Sequence, residues 1–241
     1  MNTRATTFLA AAFMVLAPVA SWAQLVPYTQ NFETLNAADP NALLADGWYA
    51  YVNVYDGSHN YQYGYGFAAP NGGNAASAIV TGQGGASQGN QQLSVYSNYN
   101  DNVQGNGWYV EMNVYQQQNI GPGDIGKVAL FRFDGKRGDW SAAQHSPTAA
   151  AFIKTLNPAA GWATTHFITF DMTSLPSVWG TYSLSLALDP SLAGQVLQFG
   201  FMDTCTYYDP TVVFYDNIQF APDAATPARS TTWGKLKAAY R

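Results

Sequence analysis

A single cysteine, Cys205, stands in 241 residues. That excludes an intrachain disulfide and every paired-thiol zinc or redox motif, and Cys205 reads as a buried, inert thiol. Glutamate is nearly as scarce: of 15 acidic residues only Glu33 and Glu111 are glutamate, the rest being aspartate. Aspartate favours turns and supplies hard oxygen ligands, so the bias points to turns or to calcium. Basic residues are few and unevenly placed. Arg4 is near the start and Arg229, Lys235, Lys237 and Arg241 lie in the last 13 residues, which leaves 5 basic against 14 acidic side chains between 24 and 220, a net of −9. So acidic a domain repels phosphate backbones and anionic lipid, which argues against nucleic acid as a partner.

Catalytic signatures are missing as well. There is no GxSxG elbow, HExxH helix, P-loop or EF-hand loop. His59, His145 and His166 show no metal-ligand spacing to one another. Hydrolysis of a glycosidic bond needs two facing carboxylates, and beside Glu111 the sequence nominates no second. Long helix-forming stretches are also absent. The one extended apolar run lies at the start. Arg4, the stretch Phe8 to Ala20, and the small-x-small site Ser21-Trp22-Ala23 form a secretory signal peptide over residues 1–23. Pro18 interrupts that run, which is too short for a membrane span of about 20 residues. The mature chain is expected to be exported: extracellular, at the cell surface or periplasmic.

What is abundant is aromatic and turn-forming. Period-two runs between turn clusters predict strands near 28–35, 48–55, 91–97, 108–115, 126–134, 149–156, 164–172, 179–188, 195–203 and 211–220. In 182–188, Tyr182, Leu184, Leu186 and Leu188 share one face and Ser183, Ser185 and Ala187 the other, as in a sheet packed on one side. So many strands must stack as two sheets, and the fold class is all-β, a two-sheet antiparallel β-sandwich over residues 24–220. Phe32, Trp48, Val110, Phe131, Leu184, Leu186, Phe199 and Phe214 are core candidates. Residues 56–90 read as a long decorated loop with a short strand at 76–80. Residues 221–241 read as a linker and a basic, aromatic tail. In that tail Trp233, Leu236 and Tyr240 would share one face of a short helix, fitted to a partner or to sorting machinery.

One internal repeat carries the functional reading. Trp48-Tyr-Ala-Tyr-Val-Asn-Val-Tyr55 and Trp108-Tyr-Val-Glu-Met-Asn-Val-Tyr115 match at five positions. Read as strands, one face of each is core: Trp48, Ala50, Val52 and Val54, and Trp108, Val110, Met112 and Val114. The other faces are Tyr49, Tyr51, Asn53, Tyr55 and Tyr109, Glu111, Asn113, Tyr115. Phenol rings interleaved with amide and carboxylate groups suit a sugar: rings cover apolar C–H faces while Asn and Glu bond hydroxyls. Tyrosine also favours exposed strands without any ligand. Of the other tryptophans, Trp179 reads as core, and Trp140 and Trp162, beside turns, as rim platforms.

From Val128-Ala-Leu-Phe-Arg-Phe-Asp-Gly-Lys136 through 148–156, 179–186 and 194–200 to Val213-Phe-Tyr-Asp-Asn-Ile218, with Asn31-Phe-Glu33 and Gly47-Trp48 at the front, the order of segments resembles the jelly-roll carbohydrate-binding modules with a galactose-binding-like fold. The resemblance implies first and last strands lying together, and a structural calcium held there by Glu33 and Asp216. Asp216 shares parity with Val212, Phe214, Ile218 and Phe220, so a regular strand aims its carboxylate into the core. Such a group needs a cation, hydrogen bonds, or a bulge that turns it out. The functional expectation is a secreted, non-catalytic protein that binds a polysaccharide or glycan. A surface or matrix adhesion protein and a polysaccharide-degrading enzyme are the alternatives.

Overall fold

Alternation puts every second side chain of each strand inward, and burying those rows requires two sheets face to face. The computed structural model describes residues 24–72, 76–96, 107–207, 209 and 211–224; the signal-peptide and tail readings fall outside the described residues. Among the described residues the strands are β1 (Tyr28–Gln30), β2 (Tyr49–Tyr55), β3 (Tyr61–Ala68), β4 (Ser77–Thr81), β5 (Gln91–Tyr96), β6 (Tyr109–Asn119), β7 (Lys127–Arg137), β8 (Thr148–Asn157), β9 (Ala163–Asp171), β10 (Gly180–Ala187), β11 (Val196–Cys205) and β12 (Val212–Ala224), with one short α-helix, Ala42–Ala45, and 3-10 turns at Pro122–Asp124, Pro158–Ala160 and Pro190–Leu192. Sheet A runs β10-β7-β12-β5-β4, with β1 also on β12; sheet B runs β3-β2-β6-β11-β8-β9. All pairings are antiparallel. The architecture is the expected all-β jelly-roll sandwich, and the first and last strands do lie together, Tyr28 opposite Phe220.

Aromatic rings close the core between the sheets. Phe199 of β11 stacks on Phe220 of β12 at 4.2 Å, and Phe201 on Tyr215 at 3.5 Å. Phe131 and Phe133 of β7 fill the remaining space and are fully buried. Each such side chain contributes roughly 1.5–3 kcal/mol. Trp48 is also fully buried, and its indole N–H donates to the Tyr28 hydroxyl, which in turn donates to Asp46. Burial, with Asp46 adjoining, pushes the Tyr28 phenol far above its ordinary pKa. Cys205 is buried.

Five readings need correction. Residues 56–90 hold the short strand expected at 76–80, which is β4, but they also hold β3, in a stretch read as loop. The Tyr/Gly alternation of β3 hides a strand because glycine supplies no apolar side chain to mark the period. The first strand stops at Gln30, since Phe32 turns into the left-handed region (φ 61°) to bury its ring. The final strand runs on to Ala224, so residues 221–224, read as linker, pair with Leu130 to Lys127 of β7. Phe214 is half-buried on the outer face of sheet A, and Tyr215 takes the core position. A bulge causes this: Asn217 adopts φ 48° and the β7–β12 register shifts between Asp216 and Gln219. Val213 and Tyr215 point inward before the bulge, Ile218 and Phe220 after it, and Asp216 points outward. Trp179, read as core, is half-buried on that same outer face, its N–H donating to the Gln83 carbonyl.

Candidate functional site

The two halves of the repeat become adjacent antiparallel strands. β2 pairs β6 with Tyr49 opposite Tyr115, Tyr51 opposite Asn113, Asn53 opposite Glu111 and Tyr55 opposite Tyr109, so all eight side chains share the outer face of sheet B. The inner faces are core as read, with Ala50, Val52, Val54, Val110, Met112 and Val114 at most 1% exposed. Trp108 is half-buried against them.

A groove of about 710 Å³ crosses this outer face. Tyr51, Asn53, Tyr55, Glu111 and Tyr115 line one part of it, and Gln117, Gln198, Lys154, Phe167 and Trp162 the other. Its backbone order is set by register: Gln117, Gln198, Lys154 and Phe167 stand in one row across β6, β11, β8 and β9. Gln198 donates to the Gln117 side chain at 3.3 Å. The row above runs Tyr115, Gly200, Phe152, and glycine is required at its centre, because a Cβ there would come within 2.7 Å of the Tyr115 Cα. Trp162, in the left-handed region (φ 67°) and 60% exposed, forms a free indole at the far rim.

Of the other predicted residues, Asn113 lies buried beneath the groove, Tyr49 stands at its edge with its ring 6.4 Å from that of Tyr115, and Tyr109 packs behind Tyr55 at 5.5 Å and against His59 at 5.0 Å. Glu111 Oε1 accepts from both Asn53 and Asn113 at 2.8 Å, which fixes the carboxylate in the floor. Desolvation, reinforced by Glu111 and neighbouring phenols, pushes the Tyr55 hydroxyl up to about 12; Tyr109 and Tyr115 shift the same way, chiefly by burial. These phenols stay protonated donors at neutral pH. Burial lowers the Lys154 ammonium, while Glu111 opposes that shift. Its Nζ lies 5.1 Å and 5.4 Å from the Phe152 and Phe167 rings.

β3 explains how Tyr51 lies flat. Gly64 and Gly66 stand opposite Asn53 and Tyr51, and a Cβ on Gly64 would meet the Tyr51 ring, the Tyr61 hydroxyl and the Val52 carbonyl, each at 2.8 Å. The bare strand therefore seats the ring, and the other face of β3 turns Tyr65 and Phe67 toward the core. Sequence reasoning missed Lys154, Phe167, Gln117 and Gln198. They belong to four different strands and converge only through register, although Trp162 was legible as a rim tryptophan.

The predicted metal residues lie on sheet A's side. Glu33 is exposed, and its Oε1 accepts the backbone N–H groups of Asn90 and Gln91 at 2.7 and 2.6 Å. Asp216 is fully buried; Oδ1 accepts from the Asn217 N–H, while Oδ2 has no partner among the described residues. Desolvation, with the Glu33 and Asp134 charges adding to it, pushes the Asp216 carboxyl up to about 7. Asp134, opposite it, is held low by bonds from Thr181, Asn217 and Gln88 that outweigh its desolvation. No three His, Cys, Asp or Glu side chains form a metal-binding group among the described residues.

No family model and no curated protein matches the chain. Among solved structures, it is similar to a family 22 xylan-binding domain from Paenibacillus barcinonensis, at 12% identity and TM-score 0.45, covering 82% of this chain and 99% of that one. It is also similar to a family 16 carbohydrate-binding module, at 10% identity and TM-score 0.38, covering 61% and 85%. A third is the xylanase 10B fragment of Clostridium thermocellum with its CBM22 and GH10 modules, at 10% identity and TM-score 0.42, covering 84% and 29%.

Proposed function

We propose that the outer face of sheet B binds a polysaccharide or glycan chain without cleaving it. The carrying observation is the groove itself: rings at both rims, Tyr51 and Tyr55 facing Trp162 and Phe167, with a floor of amides, Glu111 and Lys154 between them. Rings cover the C–H faces of sugar residues, and fixed amides and a pinned carboxylate take their hydroxyls. A volume of this size falls within the range of sites for small ligands. Glu111 is the one carboxylate in the lining. Its best-placed oxygen already holds two amides, so the pair that glycoside hydrolysis requires is not supported here.

Calcium is the companion proposal. Asp216 Oδ2, buried and unpartnered, and the neighbouring Glu33 charge suit a hard cation, with backbone carbonyls completing the shell. The ion would neutralise charge and tie the 83–91 loop to β12, a structural role. Export of the mature chain to the extracellular space or cell surface stays part of this reading.

The test is a glycan screen on the exported chain, with reducing-sugar release measured on every ligand found. Binding that Tyr51→Ala weakens, without sugar release, is the expected result. Release of sugar would make it an enzyme, and an empty screen would favour the adhesion reading.

A further inference from the structure

The groove on sheet B holds two opposite charges that do not meet. Lys154 and Glu111 are the charged residues of its lining. Lys154 stands in one row with Gln198 and Gln117, whereas Glu111 shares a row with Thr204 and Thr148. Along β6 the two rows lie roughly 20 Å apart, at a strand's usual rise per residue. Glu111 is also anchored, because its Oε1 accepts from Asn53 and Asn113 at 2.8 Å. Lys154 accordingly joins no ion pair among the described residues, where the pairs are Lys127–Asp124 and His145–Asp209.

The surroundings of Lys154 are apolar on one side and amide on the other. Phe152, two residues back on β8, shares its face of the sheet, and Phe167 stands opposite it on β9. Their ring centroids are 5.1 and 5.4 Å from Nζ. Ring faces return only part of what an ammonium loses on leaving water, and burial lowers its pKa. Across from Phe167 the next residue in the row is Gln198, whose amide gives one N–H to the Gln117 side chain and keeps the other. Phe167, 45% exposed, and Trp162, 60% exposed, offer ring faces beside this seat. A single anionic group here supplies the counter-charge that the fold withholds. A polyanion would set further charges against Glu111 and against a net of −9 between 24 and 220.

We propose that the ligand of this groove is a neutral sugar chain bearing isolated anionic substituents, uronate carboxylate or sulfate ester, with the anion on Lys154 and Gln198 and its sugar ring against Phe167 and Trp162. This rests on the reading of the groove as a sugar site and names the class of sugar. Neutral residues of the same chain then extend toward Tyr51, Tyr55 and Glu111, where hydroxyls meet the carboxylate.

The experiment is binding of the full exported chain to a panel of matched oligosaccharides, each neutral backbone presented with one uronate, with that uronate carboxyl-reduced, and with one sulfate ester. Wild type should bind one or both anionic forms about tenfold more tightly than the reduced form, as expected for a charge-assisted bond, and added salt should weaken that preference. Whichever anionic form is preferred identifies the substituent. Lys154→Met keeps the apolar stem and removes the charge; it should abolish the preference, whereas Lys154→Arg should retain it. The melting temperature of each variant reports folding. Tyr51→Ala should weaken the anionic and reduced forms by the same factor and so keep their ratio. Equal wild-type affinity for all three forms, or an undiminished preference in a folded Lys154→Met, would overturn the proposal and leave the groove a site for neutral sugar. Binding that Tyr51→Ala does not weaken, or no binding to any member of the panel, would overturn the groove's reading and this inference together.

Discussion

The outer faces of the two sheets obey the same alternation and end in opposite conditions. On sheet B, Asn53, Glu111, Gln117 and Gln198 bond one another across the strands and remain at the floor of an open groove. On sheet A, Asp134, Asp216 and Gln92 occupy the equivalent outward positions of β7, β12 and β5, yet all are buried. The segment around 83–91 covers them: Gln88 bonds Asp134, Gln92 bonds the Gln88 carbonyl, and Asn217 bonds the Ser87 carbonyl. Polar side chains on an outward strand face therefore do not mark a ligand site by themselves. What separates the two is whether the chain itself has already filled the space above them.

The core shared by both faces is where the comparison breaks most completely. Phe201→Ala removes the ring stacked on Tyr215 and should cost about 3–5 kcal/mol, as buried aromatic truncations do. Chemical denaturation measures it, and both faces should fail together. Within the groove, Tyr51→Ala and Trp162→Ala should each weaken glycan binding about fivefold, near 1 kcal/mol per ring. Gly64→Val should match Tyr51→Ala, since the added side chain displaces that ring. Affinity electrophoresis distinguishes these from Trp179→Phe on sheet A, which should leave glycan binding at the wild-type level.

pH sharpens the contrast on the covered side. The Asp216 carboxyl is raised from 3.8 to about 7 in the folded protein, so folding favours its protonated form. The stability linked to it is complete below about pH 4 and is lost as pH rises through about 7. Asp203, buried with neither oxygen bonded among the described residues, shifts in the same direction. In chelator, Asp216→Asn should then gain melting temperature over wild type at pH 8 and show a shallower decline between pH 5 and 8. Calcium should stabilise wild type at pH 8 and not Asp216→Asn; equal calcium response in both removes the ion from this site. The smallest effect belongs to the end of the chain. Truncation after Ala224 should leave the melting temperature unchanged, whereas truncation after Phe220 should lower it, because Ala221 to Ala224 pair with β7.

Strand order and inward parity were legible where apolar residues alternate without interruption, as in β2, β6 and β10. Parity failed at β12 because one residue in the left-handed region, Asn217, reverses every side chain after it, and Asn is only a weak signal for such a bulge. β3 was illegible because its outward positions are glycines whose purpose is to make room for Tyr51, a demand set by a different strand. One wall of the groove could be read from the repeat, since both halves contribute to it. The other wall could not, because Lys154 and Phe167 meet Gln117 only through the pairing of β11 with β6 and β8.

The pairing of the repeat has a geometric consequence. Val52 and Met112 are both equivalent positions in the two copies and direct partners across β2 and β6, so a local two-fold axis passes between them, normal to the sheet. It exchanges Tyr49 with Tyr109, Asn53 with Asn113 and Tyr55 with Tyr115. A surface with full two-fold symmetry has no head or tail, and a polymer strand laid across it fits equally in either sense. Tyr51 and Glu111 break that equivalence, placing a ring on one side of the axis and a carboxylate on the other. The face therefore has a direction, and so does any sugar chain that lies along it.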